Sequence, residues 1–174
     1  MDPAYFVFID ETGTATNLAR RYGRSPSDRR LVAAVPHGHW RTTTLIAGLR
    51  QSGILAPLVL DGPMTGLAFR AYVEQCLAPA LAPGDVVVLD NLAAHKIDGV
   101  RQAIAAAGAS ILYLPPYSPD FNPIEQLFAK LKALLRKAAA RTKEELWSTI
   151  GRLLDTCPST ECANYLRHCG YGSI

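Results

Sequence analysis

Three acids stand where apolar runs give way to polar sequence. Asp10 follows the aromatic and β-branched run Tyr5 to Ile9, Asp90 follows Val86 to Leu89, and Glu125 lies just after the Asn122-Pro123 pair. Carboxylates at the C-terminal ends of strands commonly face a crevice in α/β sheets. A cluster of such hard oxygen donors attracts Mg²⁺, which keeps several of its own waters. Two such ions about 3.5–4 Å apart activate the attacking oxygen and stabilise the leaving one in phosphoryl transfer, so nucleic acid is a fitting substrate. Taken singly, each acid reads as an ordinary cap or turn residue. Their joint placement is what points to chemistry.

The neighbours of these acids have supporting roles to offer. Glu11 alternates to the other side of the chain from Asp10 if the strand continues, where it supports the site through another residue rather than as a direct ligand. Asn91 could orient a carboxylate or a bound water, and His95 could reach a phosphate or bond to a nearby carbonyl. Asn122-Pro123 reads as a helix cap and first helical residue, which fixes Glu125 in the first turn, where a helix N-terminus favours negative charge. Along that helix Ala129, Lys132 and Arg136 share the face of Glu125, while Ile124, Leu127, Leu131, Leu134, Leu135 and Ala138 form the core stripe. Lys130, Lys132, Arg136 and Lys137 are the candidate DNA contacts, set against the plainer reading of a solvated basic face.

Elements must hold these residues in place. Tyr5 to Ile9 predicts a buried strand ending at Asp10-Glu11-Thr12-Gly13. Residues 15–30 predict an irregular connection or short helix. Leu31 to Val35 and Thr42 to Leu49 predict strands joined across residues 36–40, and Leu58 to Leu60 extends an antiparallel meander. Helical spacing begins at Thr65 and stops at the Pro79 and Pro83 breaks. Val86 to Leu89, a helix over Ile97 to Ala107 stopped by Gly108, and Ser110 to Leu114 form a βαβ unit. One helix then runs from near Pro123 past Arg136 and another from about Thr142 to Thr156. The expectation is one α/β domain over residues 1–174.

Composition narrows the classes. With 174 residues and 49% hydrophobic content the chain can bury a substantial core. A formal charge of +3 and pI near 8.7 tolerate a nucleic-acid partner without demanding one. Four cysteines and no opening signal-like segment fit a reducing cytoplasm, and the apolar runs are far short of the roughly 20 residues of a membrane span. Neither His37 and His39 nor Cys157, Cys162, His168 and Cys169 follow the paired short spacing of structural zinc sites.

Three stretches carry a family resemblance: Phe8-Ile9-Asp10-Glu11-Thr12-Gly13, Val88-Leu89-Asp90-Asn91-Leu92-Ala93-Ala94-His95, and the run from Leu114-Pro115-Pro116-Tyr117-Ser118-Pro119 through Asp120-Phe121-Asn122-Pro123-Ile124-Glu125. They resemble the DDE transposases of the mariner superfamily, nearest its bacterial insertion-sequence branch, the six-thirty family. The resemblance runs from about Phe6 to Tyr171, and the 34 residues between Asp90 and Glu125 (125 − 90 − 1) match the interval that superfamily keeps. It implies a ribonuclease-H-like fold with a mixed central sheet flanked by helices, with Asp10, Asp90 and Glu125 as catalytic metal ligands. It further implies Mg²⁺ as cofactor, Mn²⁺ substituting and two ions bound, and strand cleavage by water followed by attack of the freed 3′ hydroxyl on target DNA. DNA, as element ends and target, is the implied partner, with a homodimer on DNA, a bacterial cytoplasmic location, and an upstream helix-turn-helix module that this sequence lacks. Pro26-Ser27-Asp28 departs from the more basic or glycine-bearing sequence expected there. Two other readings compete: a catalytically silent DNA-binding or dimerisation fragment, and a ribonuclease-H-like nuclease for another nucleic acid.

Overall fold

The computed structural model describes residues 2–20, 22–32, 34, 41–116 and 118–172. Its centre is a sheet of five strands: β1 (Phe6–Ala15), β2 (Thr42–Arg50), β3 (Gly53–Asp61), β4 (Val86–Leu89) and β5 (Ser110–Tyr113). They lie in the order β3-β2-β1-β4-β5. The meander β1-β2-β3 is antiparallel, whereas β4 runs parallel to β1 and β5 parallel to β4. The sheet is therefore mixed, as the sequence leads one to expect.

Helices cover both faces. On one side lie α1 (Gly66–Tyr72), which continues through a π turn over Val73–Leu77, and α2 (Val100–Ala106). Val7, Ile9, Ile46, Val87 and Leu89 pack there against Phe69, Tyr72, Leu77 and Ile104. On the other side lie α3 (Ile124–Ala138), α4 (Lys143–Asp155) and α5 (Ser159–His168). Phe8, Leu45, Ala47, Leu49 and Val88 meet Leu127, Phe128, Leu131, Leu135, Ile150 and Leu166. Both layers follow from strand alternation, since successive β1 side chains point to opposite faces and both faces are buried. Each such fully buried side chain stabilises the fold by roughly 1.5–3 kcal/mol.

Three expectations about the elements are corrected. The first strand does not end at Ile9: it continues through Asp10 to Ala15 because β2 pairs with it along Asp10↔Ala47 to Ala15↔Thr42, while Tyr5 belongs to a preceding 3-10 turn. The acid-and-glycine run that looked like an exit is ladder, held by Thr12 and Thr14, whose side chains are buried. The strand over Leu31 to Val35 is absent at the positions described, where Leu31 and Val32 are solvent-exposed and meet no sheet edge. Ala33 and Val35 to Trp40, including His37 and His39, lie outside the described residues.

The helix expected from Ile97 begins only at Val100, because Gly99 sits at φ +96°, a conformation no helix contains. Its predicted stop at Gly108 holds, with φ +76° where a Cβ would also press on Pro83 at 3.2 Å. Helix α5 had no expectation. Its signals were local: Pro158 before the first turn, Glu161 within it, Arg167 and His168 in the last, and Cys162 and Leu166 buried one turn apart. Helix α4 starts at a capping box in which the Thr142 hydroxyl accepts from the Glu145 amide and the Glu145 carboxylate accepts from the Thr142 amide. No helix among the described residues is long and apolar enough to cross a membrane.

Candidate active site

Strand parity separates the first two acids. Asp10 falls on the side of Phe8, facing α3, and Glu11 on the side of Val7 and Ile9, facing α1. Asp10 is buried, at 8% exposure. Its Oδ1 accepts the Glu11 amide at 2.8 Å and its Oδ2 accepts Asn122 Nδ2 at 2.8 Å. The cap expected of Asn122 is thereby corrected. Its side chain is committed to Asp10, Pro123 holds the N-cap position without a side-chain bond, and the Glu125 amide reaches only the Asn122 carbonyl at 3.2 Å. Asn122 thus ties the start of α3 to the centre of the sheet.

Glu125 stands exposed in the first turn of α3, and Asp90 follows β4, accepting the Leu92 amide at 3.2 Å. Asp10, Asp90 and Glu125 line one open cavity of about 410 Å³, with Asn91 on its rim and Asn122 at its wall. Three elements far apart in sequence therefore deliver one carboxylate each. Pro115, Pro116 and Pro119 form the apolar wall of the same cavity.

His95 occupies the other side. Its ring is fully buried against Phe69, with centroids 4.2 Å apart, so the expectation that it reaches a DNA phosphate is corrected. Nε2 lies 3.1 Å from Glu11 Oε2, and Nδ1 lies 2.5 Å from Asp90 Oδ1. The Nδ1 contact is close, but its N–H finds no well-aligned acceptor. We take it as an ion pair because the separation is short and both groups are charged. Glu11, His95 and Asp90 form a chain that runs behind the sheet edge into the cavity.

These placements set the charges. Burial, reinforced by Glu125, Glu11 and Asp90, pushes the Asp10 carboxyl up to about 7 against the lowering pull of the Glu11 amide. Burial alone would lower His95, but Asp90 and Glu11 override it and raise the imidazole to about 9, so it is a cation at neutral pH. At Asp90 burial works upward and the His95 contact outweighs it, leaving that carboxyl below the ordinary range. The cavity thus holds ionised Asp90 beside an Asp10 that is short of positive charge.

A hard divalent cation suits this donor set, since the lining acids are all oxygen ligands and their mutual repulsion raises Asp10's affinity for any cation, proton included. Among the described residues, no three acid, histidine or cysteine side chains already close around a point as a finished cage. The acids line the cavity openly. The C-terminal cysteines contact other groups: Cys157 and Cys162 sulfurs lie 3.7 Å apart, and Cys169 accepts from Gln126.

The candidate DNA contacts on α3 divide. Helical geometry sets Lys132 and Arg136 within about 20° of Glu125 and Lys130 about 140° away. Lys130 is accordingly engaged by Glu161 of α5, with Nζ 2.7 Å from both carboxylate oxygens, so its charge is paired within the chain. Arg136 and Lys137 instead line open cavities with Arg20.

A family model described as DDE superfamily endonuclease matches residues 5–147. No curated protein matches the chain. Among solved structures, the Mos1 transposase paired-end complex with the left transposon end is similar at TM-score 0.73 and 17% identity, covering 96% of this chain and 52% of that one. The mariner Mos1 paired-end complex with Mg gives 0.71 and 19%, covering 95% and 51%. The catalytic domain of Mos1 mariner transposase gives 0.69 and 16%, covering 96% and 76%. The chain thus spans about half the length of the full transposase chains it matches. At these identities the likeness establishes the fold, that of a ribonuclease-H-like transposase catalytic domain.

Proposed function

The chain belongs to the DDE superfamily endonuclease family, and from that premise we propose that it is the catalytic domain of a transposase that cleaves and joins DNA strands in a divalent-metal-dependent reaction. The observation that carries this reading is the delivery of Asp10, Asp90 and Glu125 from β1, β4 and α3 into one cavity. The neighbours support it: the Mos1 transposase is known in complex with a transposon end and in forms with Mg and with Mn. By the resemblance of its three motifs, the branch proposed for the chain is the bacterial insertion-sequence branch of the mariner superfamily.

Bound there, Mg²⁺ or Mn²⁺ supplies Lewis acidity to the phosphoryl oxygens and lowers the pKa of the attacking water or hydroxyl. The chain does the rest. Asp10, Asp90 and Glu125 would hold the cation, and Asn122 fixes Asp10's carboxylate by donating to Oδ2. His95 keeps Asp90 ionised and in place from behind, with Glu11 orienting the imidazolium. The proline wall shields one side of the cavity from water. Two chains, each holding one DNA end, complete the assembly.

The test is nicking of supercoiled plasmid by the purified chain with Mn²⁺, Mg²⁺ or EDTA. Nicking that needs the metal and vanishes in Asp90→Asn is the expected result. Metal-independent nicking, or none with any substrate, overturns the reading, and exclusive cleavage of RNA–DNA hybrids transfers it to a ribonuclease.

A further inference from the structure

The last turns of α3 lead away from the acids to a second built feature. Two adjoining cavities of about 550 and 330 Å³ lie where the segment after β1 passes the helix. Arg20, Arg136 and Lys137 line both, Tyr22 and Ala133 complete the first, and Arg141 borders the second. No carboxylate lines either one, and among the described residues Arg20, Arg136 and Lys137 enter no ion pair. Arg141 is spent on structure. Its Nη1 donates to the carbonyls of Leu18 at 2.9 Å and Thr16 at 3.3 Å, which pins the segment carrying Arg20 and Tyr22 against α3.

Tyr22 is the unusual member. Its side chain is 90% exposed beside three cations that enter no ion pair among the described residues. A lone exposed tyrosine needs no explanation. An aromatic face within a cationic groove is the pairing that holds single-stranded nucleic acid, with bases stacking on the ring and cations following the phosphates. Ala133 is the small floor between them, leaving room for a backbone.

We infer that this groove is a DNA strand subsite in which Arg20, Arg136 and Lys137 contact phosphates and Tyr22 stacks on an unpaired base. The inference rests on the reading of the chain as a DNA strand-cleaving domain. Arg136 lies eleven residues along α3 from Glu125, about 16 Å at the rise of an α-helix, or about five nucleotide steps along one strand of B-form DNA. The groove therefore engages the strand a few nucleotides from the phosphate at the acids and sets its register.

Fluorescence anisotropy of the full chain tests this with a labelled single-stranded oligonucleotide and a labelled blunt duplex over a salt series. Tyr22→Ala weakens single-strand binding about tenfold and duplex binding little, while Tyr22→Phe, which keeps the ring, binds as the parent does. Arg20→Ala and Arg136→Ala each weaken both ligands and reduce the salt slope by about 1, whereas Arg152→Ala, outside the groove, does not. Thermal melts of each variant accompany the titrations, since Arg20 and Tyr22 are exposed and Arg136 is half-buried. Single-strand affinity unchanged by Tyr22→Ala, or arginine losses no larger than that of Arg152→Ala, overturns the subsite. This binding pattern in a chain that nicks no DNA supports the subsite and removes the cleavage reading, so the two fail separately.

Discussion

Asp10 and Glu11 are neighbours in sequence and opposites in surroundings. Asp10 faces α3, meets only neutral donors in the Glu11 amide and Asn122, and shares its cavity with two further carboxylates. Glu11 faces α1 and meets a buried imidazolium that also serves Asp90. One side of the strand leaves negative charge uncompensated and the other compensates it internally. Binding capacity is thus built by withholding a partner on one face, and rigidity by supplying one on the other.

Substitutions sharpen that contrast in order of size. Asp10→Asn, Asp90→Asn or Glu125→Gln each lowers the nicking rate by about a thousandfold or more, equivalent to roughly 4 kcal/mol of transition-state stabilisation. Equal activity in any of the three removes that acid from the proposed site. His95→Ala strips two carboxylates of their shared cation and leaves a void beside Phe69. It lowers stability by roughly 2–3 kcal/mol in chemical denaturation and metal affinity by about tenfold or more. An unchanged denaturation midpoint shows that the compensated face contributes nothing.

Asp10→Asn acts in the opposite direction on stability. The folded chain holds the Asp10 carboxyl at about 7, above its ordinary 3.8, so the protonated form is the one the fold favours. That contribution is complete below about pH 4 and is lost as pH rises through 7. In EDTA the parent therefore melts lower at pH 8 than at pH 5, and Asp10→Asn raises the melting temperature more at pH 8 than at pH 5. Added Mg²⁺ restores the parent and not the variant. A melting temperature that rises from pH 5 to pH 8 in the parent, with the variant's gain absent, contradicts the uncompensated face.

The smallest effect comes from α3. Lys130→Ala costs under about 1 kcal/mol, because its pair with Glu161 lies near the surface. It leaves the salt slope of DNA binding unchanged, while Lys132→Ala reduces that slope by about 1. Equal slopes for the two variants place both lysines on the same footing and break the division along the helix.

How far the sequence could be read follows from these same residues. The order of β4, α2, β5 and α3 was legible because apolar runs, Gly108 and the Asn122-Pro123 pair punctuate locally. The extent of β1 was not, since an Asp-Glu-Thr-Gly run looks like a turn until β2 is placed beside it. Leu31 and Val32 have strand composition without a strand to join. Asn122 carries good cap chemistry, and only the approach of Asp10 from 112 residues away decides where its amide goes. His95 was ambiguous for the same reason, since both its partners are tertiary. Lys130 alone was recoverable by arithmetic, because its angle around α3 turns it from Glu125.

The unbroken ladder of β1 also governs how this chain tolerates changes of length. Deleting or adding one residue between Phe6 and Asp10 rotates the strand by half its period, presenting Glu11 to the cavity and Asp10 to His95 while turning Phe8 and Ile9 to the wrong layers. A gap there removes chemistry and core together. The described residues between β1 and β2 (16–20, 22–32, 34 and 41) lie outside the sheet and carry no such phase, so inserted or deleted residues are accommodated there and excluded from the first strand.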